Sequence, residues 1–369
     1  MSENLFDLNL GKLGFGFMRL PQKGDGFDME LVNQMVDAFM ASGNTYFDTA
    51  FVYKGSEQAL CESLVKRYPR ESFHIATKLN LGFVDSKEKL AECFETSCER
   101  LGVDYVDFYL LHGLGNRTGD KDDTMGAWDY LSSLKAAGKA GHLGFSFHGT
   151  PEKLESILTK HPEAEFVQLQ ANYIDWDDEE VQSGRLYEIC RQYGRPVVVM
   201  EPVKGGMLAS ETSAITEILR RANPDVTPAS WAMRFIAPKE GILVTLSGMN
   251  SLEQMNDNLK TFKDLKALSE AEMQTVQEAI AALKAVPRIP CTECGYCLES
   301  CPQKIKIPSK IEVYNGYLAY QSIPTSRRQY TFTGEPWASA CIACHACEEQ
   351  CPQNIAIPDV LAEITKLFE

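Results

Sequence analysis

The sequence predicts an α/β fold class: a (β/α)8 TIM barrel, followed by a small, mainly helical domain. Two observations lead to this prediction. Eight short apolar runs alternate with amphipathic segments of helical period, and a doubled cysteine pattern occupies the C-terminal part. Eight β–α units over about 250 residues are typical of a barrel rather than of an open doubly wound sheet. The predicted domains are 1–285 for the barrel and 286–369 for the second domain.

The eight predicted strands are short apolar runs. They are LGFGFM (13–18), TYFDTA (45–50), FHIATKL (73–79), YVDFYLL (105–111), HLGFSF (142–147), FVQLQ (166–170), PVVVM (196–200) and ILVTLS (242–247). Each is followed by a helix-like segment, such as 29–43, whose apolar residues recur at three- and four-residue steps. The glycines at 14 and 16 are not continued by a third glycine and a helix, which disfavours a Rossmann-type sheet. A last helix is predicted at 268–285, before a proline-marked junction at 286–290.

Eight of the twelve cysteines form two copies of one spacing, fifty residues apart. The copies are Cys291-x2-Cys294-x2-Cys297-x3-Cys301-Pro302 and Cys341-x2-Cys344-x2-Cys347-x3-Cys351-Pro352. This is the ligand run of a ferredoxin-like module with two [4Fe–4S] clusters. Three closely spaced cysteines supply three corners of a cube, and the cysteine before proline usually reaches the other cluster. The prediction is therefore one cluster on Cys291, Cys294, Cys297 and Cys351, and a second on Cys341, Cys344, Cys347 and Cys301.

Zinc knuckles and disulfides are the alternatives for these cysteines. Zinc ribbons normally use two CxxC pairs, and disulfides are expected in secreted chains. The repeat also extends past the cysteines, since CPQKIKIPSKI (301–311) matches CPQNIAIPDVL (351–361). Repeated flanks favour a pseudo-twofold cluster pair.

Composition limits the classes of partner and compartment. The net charge of -15 disfavours a nucleic acid. No apolar stretch approaches the roughly 20 residues of a membrane span, and the first ten residues lack a signal pattern. Cysteines outside the repeats, together with oxidation-sensitive cluster ligands, favour a reducing compartment. We therefore expect a cytoplasmic protein that binds neither nucleic acid nor membrane.

Four ionisable residues fall at the predicted carboxyl ends of neighbouring strands, where barrel enzymes carry their chemistry. Asp48 and Tyr53 follow the second strand, Lys78 ends the third, and His112 ends the fourth. A tyrosine donates a proton near neutral pH only if its pKa is lowered, and an adjacent ammonium has that effect. We expect Lys78 to supply this charge, Asp48 to hold the lysine, and His112 to orient a substrate carbonyl.

These residues lie in segments that resemble the aldo-keto reductase family, and specifically the subgroup with a C-terminal two-cluster ferredoxin-type domain. The matching segments are YFDTAFVYKGSE (46–57), HIATKL (74–79) and DFYLLHGL (107–114), and the likeness extends from about residue 11 to 263. The resemblance assigns the family's catalytic tetrad to Asp48, Tyr53, Lys78 and His112. It implies hydride transfer between a nicotinamide dinucleotide and a carbonyl or alcohol.

The resemblance also implies contacts to the nicotinamide. Ser146 and Gln168 match the residues that support its carboxamide, although the asparagine that follows in the family is Phe147 here. Met200 stands where the family often stacks a tyrosine on the ring. A thioether can pack on a ring face, but less rigidly.

A second segment, 247–259, resembles the family's adenosine-phosphate site. It implies phosphate and adenine contacts at Ser247, Gly248, Asn250 and Asn258. Gln254 occupies the place where an arginine often recognises the 2′-phosphate, so the choice between NADP and NAD stays open. Lys204 and Arg234 are basic candidates for a phosphate contact, and ordinary surface charges are the alternative.

The expected function is an NAD(P)-dependent oxidoreductase that acts on a small carbonyl or alcohol and exchanges electrons through two [4Fe–4S] clusters. A carrier such as ferredoxin or flavodoxin would be the partner. Met200, Phe147 and the clusters also permit a flavin, which converts hydride into single electrons. The alternative is a barrel reductase whose clusters are structural or mediate partner contacts.

Overall fold

A computed structural model describes residues 5–115, 118 and 120–369. Its strands are β1 (Leu13–Gly16), β2 (Gln22–Lys23), β3 (Gly26–Phe27), β4 (Tyr46–Asp48), β5 (His74–Leu79), β6 (Val106–Gly115), β7 (Ala140–His148), β8 (Phe166–Gln170), β9 (Val197–Met200) and β10 (Ile242–Ser247). Eight of these form a closed parallel barrel in the order β1-β10-β9-β8-β7-β6-β5-β4, and β4 pairs with β1 to close it. The predicted barrel and its eight strands are confirmed. Strands β2 and β3 form a separate antiparallel hairpin.

The helices are α1 (Met29–Ala41), α2 (Ser56–Leu60), α3 (Lys87–Leu101), α4 (Lys121–Thr124), α5 (Ala127–Ala136), α6 (Pro151–Lys160), α7 (Ser183–Gln192), α8 (Ala214–Ala222), α9 (Pro228–Ile236), α10 (Leu252–Lys263), α11 (Glu270–Lys284), α12 (Tyr296–Ser300), α13 (Ile307–Tyr320), α14 (Ile323–Thr333), α15 (Ala346–Glu349) and α16 (Ile357–Phe368). Short 3-10 helices span Leu5–Asp7, Phe17–Arg19, Arg70–Ser72, Leu81–Phe83, Lys204–Ala209 and Ala338–Ala340, and a π-turn spans Cys61–Val65. Side-chain caps fix several helix starts, as where Ser269 and Glu272 form a capping box on α11.

The barrel interior is filled by apolar side chains from six of its strands, β4, β5, β6, β8, β9 and β10. Its core includes Tyr46, Ala76, Phe108, Leu110, Phe166, Val198, Val244 and Leu246, with Leu5 and Leu10 packed against them. Glycine is needed at two strand positions because a Cβ at Gly14 would lie 2.7 Å from Val244, and one at Gly144 would lie 2.7 Å from Phe166. Burial of each large side chain stabilises the fold by roughly 1.5–3 kcal/mol. This packing holds the strand ends in register.

Parallel pairing brings the carboxyl ends of all eight strands to one rim. Gly16 pairs with Asp48, Phe15 with Ser247, and Ser146 with Gln168. Residues that lie far apart in sequence therefore meet at one edge of the barrel.

Contacts divide the chain into two compact units. The first comprises Met1–Pro202 and Ser230–Leu268, and the second comprises Val203–Ala229 and Ser269–Glu369. The second unit thus includes α8 and α11, which pack against each other. This grouping differs from the predicted boundary between residues 285 and 286, which stays a prediction. Among the residues that the structure describes, no helix is long and apolar enough to cross a membrane.

The second unit has its own core, and the two sequence repeats adopt matching conformations in it. The amide of Lys304 donates to Cys301 O, and that of Asn354 donates to Cys351 O, both at 3.1 Å. Both residues have left-handed backbone, with φ of 57° and 52°. In each repeat, an isoleucine lies two residues before the start of the following helix, which has a proline in its first turn. These isoleucines, Ile305 and Ile355, are likewise equivalent, since both are buried. The repeat seen in the sequence is therefore a structural repeat.

Candidate active site and cluster cavities

The buried pair of Lys78 and Asp48 lies at the centre of the rim. The Lys78 ammonium donates to Asp48 Oδ1 at 2.6 Å and to the Thr49 carbonyl at 2.7 Å. Only 1% of Lys78 and 4% of Asp48 is exposed. Burial raises the pKa of Asp48, and the adjacent Lys78 charge opposes that rise. Asp48 Oδ2 has no hydrogen-bond partner among the described residues. Lys78 and Asp48 thus form a buried ion pair at the strand ends, shielded from water.

Tyr53 and His112 lie beside this pair. The Lys78 ammonium is 5.3 Å from the centre of the Tyr53 ring, and the Tyr53 and His112 rings meet edge to face with centroids 5.7 Å apart. Tyr53 follows β4 in the loop before α2, whereas His112 lies in β6. The structure therefore brings together all four residues that the sequence analysis assigned to the tetrad.

The pKa of one of these four residues, Tyr53, differs from the expectation. Burial raises the pKa of Tyr53, and although Lys78 lowers it, the burial effect is larger. The expectation that Lys78 lowers the phenol pKa below its ordinary value is therefore wrong in its net direction, because the desolvation of the tyrosine was invisible in the sequence. Burial, with Lys78 and His148 adding to the effect, lowers the pKa of His112 to about 3. His112 is thus a neutral imidazole near pH 7, with one N–H to donate.

The predicted carboxamide contacts lie on adjacent strands. Ser146 in β7 and Gln168 in β8 are paired residues, with 1% and 3% of their surfaces exposed. The Ser146 hydroxyl accepts from the Gly113 amide at 2.8 Å, so it keeps its own proton to donate. Gln168 Oε1 is buried and has no hydrogen-bond partner in the described part of the chain. These groups fit a ligand amide, because a donor and an acceptor stand side by side.

The segment after β10 is organised by its own hydrogen bonds. Asn258 donates to Ser247 Oγ at 2.8 Å, and both residues are buried. Gln254 Oε1 accepts from the Asn250 amide at 2.9 Å. Gly248 has no side chain and is exposed next to Ser247. Gln254 thus braces the loop with its amide oxygen at the position where the family's arginine would stand.

Three further residues were predicted to contact the cofactor: Met200, Arg234 and Lys204. Met200 ends β9 opposite Gln170 and is half-buried at the rim. Arg234 in α9 donates to the carbonyls of Lys266 at 3.1 Å and Ala267 at 3.4 Å. It therefore braces the chain after α10. Lys204 belongs to the second unit, where it begins the 3-10 helix Lys204–Ala209 with φ of 47°.

Two rim residues were missed by the sequence analysis. Arg19 lies in the 3-10 helix after β1, and Glu201 follows β9 with left-handed backbone at φ 53°. The charges of both act on Tyr53: Arg19 lowers its pKa and Glu201 raises it. Their positions directly after barrel strands were a usable signal, since that is where rim residues occur.

The eight repeat cysteines line two separate cavities in the second unit. One is lined by Cys291, Cys294, Cys297 and Cys351, and the other by Cys301, Cys341, Cys344 and Cys347. The last cysteine of each run thus lines the cavity of the other run, in the arrangement predicted for crossed ligation. The rest of each lining is mainly apolar and includes Ile307, which borders both cavities.

The spacing of the sulfurs bears on the zinc and disulfide alternatives. All twelve cysteines are free. Four thiolates on one zinc ion lie roughly 3.8 Å apart, given Zn–S bonds of about 2.3 Å in a tetrahedron. Within the described residues, no three cysteine sulfurs lie within 4.8 Å of one another. No three cysteine sulfurs of the described residues are thus as closely spaced as the ligands of a single zinc ion.

A group of Asp122, Asp123 and His161 has the composition of a metal site but is already satisfied by protein. Asp122 accepts from the indole of Trp128 at 3.1 Å, and Asp123 pairs with Lys160 at 3.0 Å and with His161 at 2.8 Å. His161 also stacks on Trp128, with centroids 4.6 Å apart. We interpret this group as packing between α4, α5 and α6.

Comparison with known proteins agrees with both halves of this description. A model of the aldo/keto reductase family matches residues 12–281. The chain belongs to this family. A model of a 4Fe-4S dicluster domain matches residues 290–356, so this aldo/keto reductase carries a C-terminal cluster domain, as predicted.

Curated relatives and solved structures are similar to the barrel part of this reductase. It is 25% identical to probable aldo-keto reductase 1 of Glycine max, over 73% of this chain and 86% of that one. It is 28% identical to the 9,11-endoperoxide prostaglandin H2 reductase of Trypanosoma cruzi, over 71% and 88%. An aldo-keto reductase of Bacillus halodurans in its holo form superposes with a TM-score of 0.60 at 25% identity, over 74% and 93%. One of Klebsiella pneumoniae in complex with NADPH gives 0.59 at 20%, over 72% and 89%.

Proposed function

We propose that this aldo/keto reductase reduces the carbonyl of a small molecule, or oxidises the corresponding alcohol, with NADPH or NADH, and exchanges electrons through two [4Fe–4S] clusters. The observation that carries the proposal is the convergence of Tyr53, Lys78, Asp48 and His112 at one rim. The cluster part is supported by the two four-cysteine cavities.

The tetrad supplies acid catalysis in this proposal. When bound, the nicotinamide supplies hydride to the carbonyl carbon. Tyr53 stays protonated at neutral pH because burial raises its pKa, so its hydroxyl is available to protonate the carbonyl oxygen. The Lys78 ammonium then stabilises the phenolate, and Asp48 holds Lys78 in place. Neutral His112 donates a hydrogen bond from its ring N–H to the same carbonyl oxygen and so orients the substrate carbonyl.

The cofactor site is proposed on the residues that the family resemblance named. Ser146 and Gln168 would hold the carboxamide, since one has a proton to donate and the other an unpaired buried oxygen. Met200 would pack on the ring, and Ser247, Gly248, Asn250 and Asn258 would face the phosphates and adenine. The NADPH found in the Klebsiella pneumoniae relative supports a nicotinamide dinucleotide, while Gln254 leaves the preference between NADPH and NADH open. Arg234 carries less weight as a phosphate ligand because it already donates to two carbonyls, while Lys204 stays a basic candidate.

The clusters are proposed as one-electron groups, ligated as the cavities pair the cysteines. Cys294 and Cys344 are exposed, whereas Cys297, Cys301 and Cys347 are buried. Each cluster would thus have one ligand at the surface, where a carrier such as ferredoxin or flavodoxin can approach. A reducing compartment such as the cytoplasm follows from the same cysteines, because exposed ligands are oxidised easily.

A second candidate role for the clusters is structural. Cys297, Cys301 and Cys347 belong to the hydrophobic core of the second unit, and further cysteines pack against it. Small domains with little core often depend on metal for folding. In this case the barrel would be a plain reductase, and the clusters would hold the unit together or mediate partner contacts.

Anaerobic rapid mixing separates these roles. The oxidised protein is mixed with NADPH, with NADH or with substrate, each alone, and the rate of change in cluster absorption is compared with the turnover rate. We expect the clusters to bleach at a rate comparable to turnover. Turnover without any change in cluster absorption would assign them the structural role. Acid release of cofactors before the experiment tests the flavin hypothesis. A flavin absorbs visible light, so a spectrum without a flavin peak would exclude a bound flavin.

A further inference from the structure

Lys310 is a buried charged residue of the second unit that belongs neither to the tetrad nor to the cysteine ligands. None of its surface is exposed. Among residues 269–369, all of which the structure describes, it is the one buried side chain that carries a formal charge. Burying an ammonium costs free energy unless its partners compensate, so this position calls for a specific explanation.

The Lys310 ammonium is held between neutral oxygens and aromatic rings. It donates to Thr333 Oγ1 at 2.9 Å and to the Gly334 carbonyl at 3.1 Å. It also lies 4.5 Å from the centroid of the Tyr330 ring and 5.0 Å from that of the Trp337 ring. Ring faces and a carbonyl oxygen attract a cation, so these partners favour the charged form of Lys310.

Glu369 is the acid whose charge acts on this ammonium. Burial lowers the pKa of Lys310, and the charge of Glu369 opposes that fall. The Glu369 carboxylate itself accepts hydrogen bonds from the Tyr330 hydroxyl and the Ser339 amide. Lys310 therefore keeps its positive charge with neutral hydrogen-bond acceptors, rather than having it cancelled in a directly bonded ion pair.

The two sequence repeats differ at this position. CPQKIKIPSKI (301–311) matches CPQNIAIPDVL (351–361), and the match sets Lys310 against Val360. Val360 is half-buried and packs against the hydrophobic core of the unit. The two repeats otherwise fold alike, as the left-handed backbone shared by Lys304 and Asn354 shows. One buried charge thus breaks the equivalence of the two halves.

The helices that carry Lys310 and Val360 border opposite cavities. The first cavity is the one lined by Cys291, Cys294, Cys297 and Cys351, and the second is the one lined by the other four repeat cysteines. Pro308 and Ile311 of α13 line the first, whereas their repeat counterparts Pro358 and Leu361 of α16 line the second. Lys310 lies on α13 between Pro308 and Ile311. The buried charge is therefore on the helix that borders the first cavity.

A fixed positive charge near a cluster favours its reduced form, because reduction adds one negative charge to it. The effect is larger for a buried charge than for an exposed one, since solvent and salt screen the exposed one. Lys310 offers such a charge to the first cavity. Val360 offers none to the second.

We propose that Lys310 makes the two clusters unequal, by raising the reduction potential of the [4Fe–4S] cluster in the first cavity above that of the cluster in the second. This rests on the proposed function, because it takes both cavities to hold clusters. In the reduction, each cluster takes up one electron from an external reductant, and no bond forms or breaks. A first electron then resides in the first cavity, on the α13 side of the unit.

The test is an anaerobic redox titration of the cluster-loaded protein with dithionite, followed by low-temperature electron paramagnetic resonance. We expect two separate one-electron midpoints in the wild type, and the signal with the higher midpoint should be the one that Cys297→Ser removes. At a fixed potential, Lys310→Met should lower the reduced-to-oxidised ratio of that cluster by about tenfold, the size expected for one charge removed at roughly 10–15 Å. The ratio of the other cluster should change less.

Three further variants separate charge from packing. Lys310→Gln is a second neutral variant that keeps a hydrogen-bond donor, and it should act like Lys310→Met. Lys310→Arg keeps the charge and should retain the separation of the midpoints. Lys306→Ala is the matched control: it removes an exposed charge four residues away, introduces the residue of the repeat counterpart Ala356, and should leave both midpoints unchanged. Iron content and thermal unfolding check that each variant is loaded and folded.

Three outcomes would overturn the proposal. Coincident midpoints in the wild type would show that the clusters are equal, and this result needs no variant. Unmoved midpoints in the neutral variants, with a lowered unfolding temperature, would assign Lys310 to packing alone. A larger change in the other cluster would place its effect at the second cavity. A wild-type protein that binds no iron would instead overturn the cluster part of the proposed function, and it is recognised before any titration.

Discussion

The barrel rim and the cysteine cavities are both candidate redox sites, but they are built in different ways. At the rim, the buried charges of Lys78 and Asp48 are paired with each other at 2.6 Å, and the barrel positions them through the strand register. In the second unit, the eight cysteines line two cavities, and Cys297, Cys301 and Cys347 belong to its hydrophobic core. At the rim the polypeptide itself supplies the charged pair, whereas in the second unit we expect the clusters to complete the core, a dependence that the cysteine variants below test.

The largest effect is expected at the proton donor. Tyr53→Phe removes the hydroxyl and should lower kcat by roughly 10²–10⁴-fold, as is typical of a lost general acid. Steady-state kinetics measures the loss, while iron content and the visible spectrum should stay as in the wild type. Turnover that survives this change would move the proton donor to another residue.

The second prediction follows from the crossed pairing of the cysteines. Cys297 and Cys351 line the same cavity. The variants Cys297→Ser and Cys351→Ser should therefore perturb the same cluster, and each should lower the iron content by roughly four atoms per chain. Cys301→Ser and Cys347→Ser should share a second spectral change. Low-temperature electron paramagnetic resonance of the reduced proteins distinguishes the two clusters. Cys98→Ala is the control, because Cys98 lies outside both cavities.

If Cys351→Ser instead matched Cys347→Ser, each run would ligate its own cluster and the crossed assignment would fail. The same variants also test whether the second unit depends on its clusters. Limited proteolysis should cut the residues of the second unit in the variants that lose a cluster, and leave the barrel strands intact.

The third prediction concerns the buried ion pair. Lys78→Met leaves Asp48 buried without its partner, so the free energy of unfolding should fall by about 3–5 kcal/mol. The double change Asp48→Asn with Lys78→Met removes both charges and should be less destabilising than Lys78→Met alone. Denaturant unfolding measures both. Equal losses in the single and double variants would show that packing, rather than the unpaired charge, governs stability here.

The smallest effect is the pH dependence due to His112. Its pKa in the folded protein is lowered to about 3, below its ordinary 6.5, so the unfolded chain binds the proton more readily. The stability it contributes is present above pH 6.5 and is lost as the pH falls toward 3. At pH 5 the loss is on the order of 1–2 kcal/mol. Thermal unfolding at pH 7.5 and 5 should show a smaller shift for His112→Gln than for the wild type, and an identical shift would contradict the buried, neutral assignment.

Much of this molecule follows from local sequence. The eight barrel strands are continuous apolar runs because both of their faces are buried, and such runs are recognisable without knowing their partners. The cysteine spacing is equally local, since the ligands of one cluster come mostly from seven consecutive residues. The candidate tetrad could be named from the sequence because Asp48, Lys78 and His112 fall at predicted strand ends and Tyr53 follows shortly after one of them.

Tertiary structure decided what depends on residues meeting from distant parts of the chain. Arg19 lies beside Gly248 because β1 pairs with β10, although the two residues are separated in sequence by most of the first unit. The pKa of Tyr53 is raised because neighbouring elements bury the phenol, which outweighs the adjacent Lys78 charge. Periodicity and spacing record how a residue relates to its neighbours along the chain. Burial and charge environment arise from packing, and that is why only the folded barrel reveals them.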